Sequence, residues 1–250
     1  MSKVSSITAI GPLKTYGKFI KRFIDNVVEQ EMFIETEHII IYSELNNEIE
    51  KFNQYKNFKL IQEPNSLGVY NAWNIGIENS TTDYITNWNV DDIRHPLNIK
   101  LKYELLSGSS FYSVAYNYYV ATEDINENFY NINEKGKNYL KFPDEYEKYC
   151  MTACLCGPDP MWRKSIHSKI GNFDYENFNS IGDWEMWIRM AANGYKFKLI
   201  PQILCIYLNH DETISNNNFK NNYDQIQKIK LYEKYKNFHT QQCFIERICL

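Results

Sequence analysis

Apolar and polar positions in the first hundred residues alternate between two periods. Short apolar runs have the length of buried strands, and they cover residues 4–10, 38–42, 58–62 and 83–88. The segments after these runs have helical spacing or a helix-like polar pattern, at 16–30, 45–55, 68–78 and from Pro96 onward. Strand and helix therefore alternate four times, which predicts parallel strands with right-handed crossovers and helices on both faces of one sheet.

The second half of the chain is less regular. A long aromatic strand is expected at 111–120, followed by a polar excursion over the surface at 122–148. The later elements predicted from periodicity are helices at 160–169 and 181–193 and strands at 196–200 and 203–208. Because residues 216–250 have mixed charge and a modest apolar stripe, we expect one α/β domain over 1–215 and a C-terminal helical tail over 216–250.

Composition narrows the class of protein. The 250 residues are 44% hydrophobic, which suffices for a packed interior. A net charge of -4 and a pI near 5.8 argue against nucleic acid as a partner, because a phosphate backbone requires a basic face. No apolar run approaches the roughly 20 residues that span a bilayer. The first residues also lack the apolar stretch of a signal peptide, so we expect a cytoplasmic protein without a transmembrane segment.

Three of the six cysteines lie close together in the sequence, at Cys150, Cys154 and Cys156. The segment contains no CxxC pair and no histidine at the spacing of a zinc finger. We therefore expect buried free thiols rather than a zinc site or a disulfide framework.

Two adjacent carboxylates, Asp91 and Asp92, follow the fourth predicted strand. Ligands of α/β proteins bind outside the carboxyl ends of the strands, where a hard cation takes carboxylate oxygens and keeps positions open for phosphate. Asp91 is thus a candidate ligand of Mg²⁺ or Mn²⁺, and Asp92 is a further ligand or a helix-capping residue. His210 follows a later strand and is either structural or another ligand of the same cation.

A second acidic cluster begins the helix predicted at 181–193. Asp183 follows Ser180 by three positions, as in a capping box, so its carboxylate could serve the helix start alone. A carboxylate on a helix start at a cleft edge is also a suitable general base, and the two roles are compatible. Glu185 is expected to face solvent or a cation.

Turn-forming residues in the run 156–164 precede a predicted helix start. Arg163 or Lys164 is a candidate contact for phosphate. Trp162 is either a core residue or, together with Trp184, an aromatic surface for the apolar face of an acceptor sugar.

Several motifs of other enzyme classes are absent from the sequence. No GxGxxG follows the first strand, and neither GxxxxGK[ST] nor GxSxG occurs anywhere. These absences argue against dinucleotide oxidoreductases, P-loop nucleotide triphosphatases and the usual α/β hydrolases.

An ordered series of motifs between residue 4 and about residue 215 resembles family 2 glycosyltransferases, the inverting enzymes of the GT-A fold. The matching segments are 65–77 (NSLGVYNAWNIGI), 83–85 (DYI), 89–96 (NVDDIRHP), 161–164 (MWRK), 171–174 (GNFD) and 182–189 (GDWEMWIR). Each segment is weak alone, but the series in this order is specific. The resemblance implies a Rossmann-like, mostly parallel central sheet flanked by helices on both faces.

The resemblance also implies residue roles. The metal-binding Asp-x-Asp of the family falls on Asn89-Val90-Asp91, so an amide replaces the first carboxylate. Asp183 falls on the catalytic base, and the acidic residue that usually precedes the base is Gly182 here.

The expected nucleotide contacts carry over unevenly. Glu44 substitutes for the Asp that contacts the nucleotide base in the family. The usual Pro-Thr-Tyr-Asn after the first strand is replaced by 11–14 (GPLK), which predicts backbone contacts at Ile10 and Gly11. The other expected contacts with the nucleotide sugar are Asn71, Asn74, Asn89, Val90 and Arg163.

These residues predict an enzyme that moves a sugar from a nucleotide-diphosphate sugar to a hydroxyl of a glycan or other acceptor. The resemblance favours UDP as the nucleotide. The reaction is expected to invert the anomeric carbon with help from Mn²⁺ or Mg²⁺. One alternative is a non-catalytic GT-A-like module that binds a nucleotide or glycan, which Asn89 and Gly182 favour. Another is a nucleotidyltransferase, which would require a basic phosphate loop after the first strand. The basic residues there look like a solvated helix face: Lys14, Lys18, Lys21 and Arg22.

Overall fold

A computed structural model of the chain describes residues 1–11, 16–64, 68–129, 131–132, 138–141, 144–211, 223–238 and 246–249. Its strands are β1 (Val4–Ile10), β2 (Thr36–Tyr42), β3 (Phe58–Gln62), β4 (Tyr84–Asn87), β5 (Ile93–Arg94), β6 (Val114–Thr122), β7 (Asn138–Lys141), β8 (Met161–Arg163), β9 (Phe197–Leu208) and β10 (Glu246–Cys249). Its α-helices are α1 (Ile20–Val28), α2 (Asn47–Glu50), α3 (Val69–Asn79), α4 (Asn98–Ser107), α5 (Tyr146–Tyr149), α6 (His167–Ile170), α7 (Gly182–Ala192) and α8 (Tyr223–Lys234). Short 3-10 turns adjoin α1, α2 and α6, at Gly17–Phe19, Lys51–Gln54 and Lys164–Ile166.

One mixed sheet organises the described residues. Its strand order is β10-β7-β6-β8-β4-β1-β2-β3, and β9 pairs with β6 and β5. β1 pairs in parallel with β2 and β4, and β2 pairs in parallel with β3. This parallel group confirms the strand–helix alternation predicted from the sequence, and it turns the carboxyl ends of these strands toward the same edge of the sheet.

Helices bury apolar side chains against both faces of the sheet. On one face, α1 packs Phe23 and Val27 into a cluster with Trp88. On the other face, α3 lies so close to β1 that a Cβ at Gly76 would come within 2.3 Å of the Ile7 side chain. The missing side chain at residue 76 therefore fixes the distance between α3 and β1, and with it the position of the start of α3.

The helix predicted at 160–169 is wrong in its first part. Met161–Arg163 form strand β8, which pairs antiparallel with both β4 and β6. Met161 and Trp162 are fully buried between these neighbours. Pairing with strands distant in the sequence overrides the local helical pattern here.

The two strands predicted at 196–200 and 203–208 form one strand, β9, with an irregular register. Ile200 pairs with Asn117 and Ile203 pairs with Tyr118, so Pro201 and Gln202 have no partner in β6. Proline cannot donate a hydrogen bond to a neighbouring strand, which explains an interruption at this point.

The surface excursion and the tail contain more regular structure than predicted. Within 122–148 the structure has β7 and most of α5, and α8 confirms a helix in the tail. The last described segment is β10, which pairs antiparallel with β7, so the tail contains a strand as well as the predicted helix. Residues 12–15, 65–67, 133–137, 212–222 and 239–245, which include parts of several predicted features, lie outside the described residues. The described ranges contain no helix with the length and hydropathy needed to cross a membrane.

Candidate active site

A cleft of about 740 Å³ opens at the carboxyl ends of the parallel strands. This is the position at which α/β proteins bind ligands. The predicted site residues that line it are Ile10, Gly11, Asn89, Val90, Asp91 and Asp183. One cleft therefore brings together the segment after β4 and the start of α7.

Asp91 lies where β4 leads into the cleft. Its Oδ2 is 2.9 Å from Nε2 of His210, which comes from the segment after β9. The backbone carbonyl of Asp91 accepts a hydrogen bond of 2.6 Å from Arg22 on α1. Arg22 is half-buried, so the prediction that it belongs to a solvated helix face is wrong.

A divalent cation fits this end of the cleft only if a ligand supplies part of its coordination. Asp91 and His210 offer a carboxylate and an imidazole, but the described residues contain no group of three or more His, Cys, Asp and Glu suited to a metal ion. Mg²⁺ is commonly held by one or two carboxylates together with phosphate oxygens of the substrate. The donor set therefore suits a cation that arrives with a phosphorylated ligand.

Asp92 has a different environment from Asp91, although the two are adjacent. Its Oδ1 accepts from the backbone N–H of Leu208 at 3.0 Å, and its Oδ2 accepts from Asn89 at 2.9 Å. Burial and then the charge of Asp91 raise the pKa of Asp92 well above its usual value. Asp92 does not line the cleft, and no side chain caps α4. Its carboxylate joins the end of β4 to the end of β9, which corrects both the metal and the capping predictions.

Asp183 lies across the cleft on the first turn of α7. The hydroxyl of Tyr70 donates to Oδ1 at 2.8 Å, and the Cys154 thiol donates to Oδ2 at 3.6 Å. Burial raises the pKa of Asp183, and the hydrogen bond from Tyr70 opposes this shift. A carboxylate with a raised pKa is a stronger base, so the site suits removal of a proton.

The residue before Asp183 is a glycine because Tyr70 occupies the space beside it. A Cβ at Gly182 would lie 2.8 Å from the Tyr70 ring. No larger residue, and hence no second acidic side chain, fits at position 182 without displacing that ring. The glycine that replaces the family's usual acidic residue at position 182 thus leaves room for the Tyr70 ring that contacts Asp183.

The capping box predicted at Ser180 is not formed. The N-cap residue of α7 is Ile181, and no side chain caps the helix. Ser180 instead contacts α8: its hydroxyl donates to Asp224, and its backbone N–H donates to Gln227 at 2.9 Å. The start of α7 is therefore held by the C-terminal helix.

Glu185 gives a second link between α7 and the C-terminal segment. Its side chain is fully buried and accepts from Arg189 at 3.0 Å, from Lys234 at 2.8 Å and from the Tyr235 hydroxyl at 2.6 Å. Of the two predicted surroundings, contact with a cation is confirmed and exposure to solvent is wrong.

The predicted acceptor contact at Trp162 is wrong. Trp162 is fully buried, its Nε1 lies 2.8 Å from Nε2 of His167, and its ring packs against Trp187. Trp184 is also largely buried, with its Nε1 donating to the Cys150 carbonyl at 2.6 Å, but it borders a small pocket beside Asp183.

The predicted phosphate contact at Arg163 does not lie in the cleft. The guanidinium of Arg163 donates to the carbonyls of Leu106 and Ser109, each at 2.6 Å, and Lys164 donates to the carbonyl of Ser80. Arg163 therefore binds the end of α4 and the segment after it, and Lys164 binds the end of α3.

Three other predicted nucleotide contacts also lie away from the cleft lining. Asn74 exchanges two hydrogen bonds of 2.9 Å with the backbone of Phe173, which ties α3 to the segment before α7. Glu44 is exposed and Asn71 is half-buried, and neither lines the cleft.

The prediction of buried free thiols is confirmed for two of the three clustered cysteines. Cys150 and Cys156 are buried free cysteines, and Cys154 is a half-buried free cysteine on the cleft. Sequence reasoning missed Tyr70 as a partner of Asp183, because the two are 113 positions apart. The signal present in the sequence was the unusual Gly182, which has meaning only once the ring of Tyr70 is placed.

The sequence model of the family described as Glycosyl transferase family 2 matches residues 9–171. The chain belongs to glycosyl transferase family 2. It is also 27% identical over 232 residues to the uncharacterized glycosyltransferase MJ1057 of Methanocaldococcus jannaschii, which covers 87% of this chain and 73% of that protein. Asp183, His210 and α8 lie beyond residues 9–171, so the match to the family model says nothing of their roles.

Solved GT-A glycosyltransferases have the same fold as this family 2 chain. The mannosyltransferase PcManGT from Pyrobaculum calidifontis, in complex with GDP-Man and Mn²⁺, superposes with a TM-score of 0.68 at 12% identity, covering 93% of this chain and 64% of that one. TarS from S. aureus in complex with UDP-GlcNAc gives a TM-score of 0.64 at 13% identity, covering 85% of this chain and 60% of that one. The chain thus spans less than two thirds of either solved chain. The likeness confirms the predicted GT-A fold.

Proposed function

We propose that this glycosyltransferase moves a sugar from a nucleotide-diphosphate sugar to an acceptor hydroxyl with inversion at the anomeric carbon. UDP is the nucleotide that we propose first. The observation that carries the proposal is that Asp91 and Asp183 line one cleft at the carboxyl ends of the parallel strands. A carboxylate that can bind a cation and a half-buried base on the two sides of a cleft are the groups that such a transfer needs.

The donor would bind at the Asp91 end. Asp91, His210 and Asn89 would hold Mn²⁺ or Mg²⁺, which supplies neutralisation of charge on the leaving diphosphate. Nδ2 of Asn89 donates to Asp92, which leaves the carbonyl oxygen of Asn89 as the atom that would bind the cation. Hard cations bind oxygen atoms of this kind. The complexes of the two solved relatives, one with GDP-Man and Mn²⁺ and one with UDP-GlcNAc, support a nucleotide-sugar donor.

The acceptor hydroxyl would lose its proton to Asp183. Tyr70 donates to Oδ1, whereas the weaker thiol donor Cys154 contacts Oδ2, so Oδ2 would be the oxygen that accepts the proton. The deprotonated hydroxyl attacks the anomeric carbon on the face opposite the diphosphate, and the bond from that carbon to the diphosphate breaks. Configuration at the anomeric carbon is thereby inverted.

The proposal is tested by nucleotide release from UDP-, GDP-, dTDP- and CDP-sugars, each with and without Mn²⁺, followed by NMR assignment of the anomer in the product. We expect release from donors with one base, dependence on the cation, and a product anomer opposite to that of the donor. Retention of configuration would contradict the single-displacement mechanism. Binding of a nucleotide or glycan without turnover of any donor would instead favour the non-catalytic module.

A further inference from the structure

Asp183 lies between the main cleft and a second, smaller pocket. This pocket has a volume of about 290 Å³ and shares Cys154, Ser180 and Asp183 with the cleft. A base between two pockets can face a donor on one side and an acceptor on the other.

The outer wall of the small pocket comes from the C-terminal helix α8. Asp224 and Lys228 line the pocket together with Trp184 of α7. α8 is held firmly in place, because Leu231 is fully buried in the main core and Gln227 accepts from the backbone N–H groups of Ser180 and Ile181. The two charged side chains of α8 are thus placed beside the candidate base by the packing of the helix.

We propose that this second pocket binds the acceptor, and that Asp224 and Lys228 select an electrically neutral sugar ring rather than an anionic acceptor. The inference rests on the proposed function and specifies the acceptor. The pocket presents two carboxylates, Asp183 and Asp224, and one ammonium group, Lys228. A phosphate or carboxylate on the acceptor would face a net negative wall, whereas neighbouring sugar hydroxyls can donate to a carboxylate and accept from an ammonium group.

The pocket size also limits the acceptor. A volume of about 290 Å³ lies just below the roughly 300–1,000 Å³ that is typical of sites for drug-sized ligands. One sugar ring is the part of an acceptor that this space accommodates, beside Trp184. The remainder of a longer glycan would extend into solvent.

The experiment uses the full chain with the donor identified from the nucleotide-sugar panel. Methyl glycosides of glucose, mannose, galactose and N-acetylglucosamine are compared as acceptors with methyl glucuronide and a methyl glucoside 6-phosphate, and transfer is measured as nucleotide release above hydrolysis. We expect transfer to a neutral glycoside and a lower kcat/KM for its anionic counterpart. Lys228→Gln should raise the ratio of acceptor KM to donor KM about tenfold, the effect of losing one hydrogen bond to a charged group.

The matched control is Lys230→Gln, which changes an exposed lysine on the same helix outside the pocket and should leave that ratio at its native value. The pocket assignment would be overturned by a preference for the anionic acceptors, by failure of every neutral glycoside, or by an equal KM ratio in the two lysine variants. Hydrolysis of the donor would still support the proposed function in each of these cases. Absence of turnover with any nucleotide sugar would overturn both.

Discussion

The two ends of the cleft are built in different ways. At the donor end, Asn89, Val90 and Asp91 follow one parallel strand directly, so the strand order alone brings them to the cleft. At the base end, Asp183 depends on contacts with Tyr70 and Cys154, which are 113 and 29 positions away in the sequence. The first end follows from the order of the parallel strands, and the second depends on polar contacts between segments that are distant in the sequence.

The largest expected effect comes from breaking the base end alone. Asp183→Asn keeps the size of the side chain and an oxygen that can accept from Tyr70, but it removes the base. We expect kcat to fall by ~10²–10⁴, the usual contribution of general base catalysis. Nucleotide binding at the donor end should persist, as measured by the thermal midpoint.

The control for this variant is Glu176→Gln, which changes an exposed carboxylate in the segment before α7 and should retain native kcat. A folded Asp183→Asn protein with near-native turnover would remove Asp183 from the mechanism.

The adjacent residues Asp91 and Asp92 are expected to respond differently to substitution, which tests the donor end. Asp91→Ala should abolish cation-dependent nucleotide binding and leave the fold intact. Asp92→Ala should instead lower the free energy of unfolding by about 1–3 kcal/mol, because the buried N–H of Leu208 loses its acceptor. Calorimetric melts with and without nucleotide separate the two outcomes. The structural role of Asp92 would be contradicted if Asp92→Ala lost nucleotide binding as fully as Asp91→Ala and melted at the native temperature.

Tyr70→Phe tests the polar support of the base with a smaller effect. The hydroxyl of Tyr70 stabilises the carboxylate form of Asp183, so its removal should raise the pKa of Asp183 further. Activity requires the deprotonated base and is lost as the pH falls through this pKa. The acid limb of the profile of kcat/KM against pH should therefore move to higher pH, and an unmoved limb would show that the hydroxyl does not act on the base.

The smallest expected effect concerns the link between α7 and the C-terminal segment. Tyr235→Phe removes one of three donors to the buried Glu185, a loss of about 1 kcal/mol, which lowers Tm by about 2–4 °C in a domain of this size. Tyr232→Phe is the control, because the Tyr232 hydroxyl is exposed and makes only a 3.4 Å contact with the Met151 carbonyl. Equal melting of the two variants would mean that the Tyr235 hydroxyl does not stabilise α7.

Local periodicity predicts the parallel strands and their helices well, because each is long enough to show its own pattern. It fails at β8, whose three residues are a strand only because β4 and β6 lie on either side. It also cannot separate Asp91 from Asp92, since the partner that buries Asp92 is the backbone of Leu208, 116 positions away. The contacts of Arg22 and Tyr70 are missed for the same reason: they form between segments that only the tertiary fold brings together.

The most direct test is the thermal midpoint of the native chain, Asp91→Ala and Asp183→Asn with UDP, GDP, dTDP or CDP, each with and without Mn²⁺. A nucleotide at about 100 times its Kd adds about 2.7 kcal/mol to the free energy of unfolding, enough for a shift of several degrees. We predict that one nucleotide raises the midpoint of the native chain and of Asp183→Asn only with Mn²⁺, and that Asp91→Ala does not respond. A rise that persists in Asp91→Ala, or no rise with any of the four nucleotides, would contradict a cation-dependent donor site at Asp91 that is separate from the base.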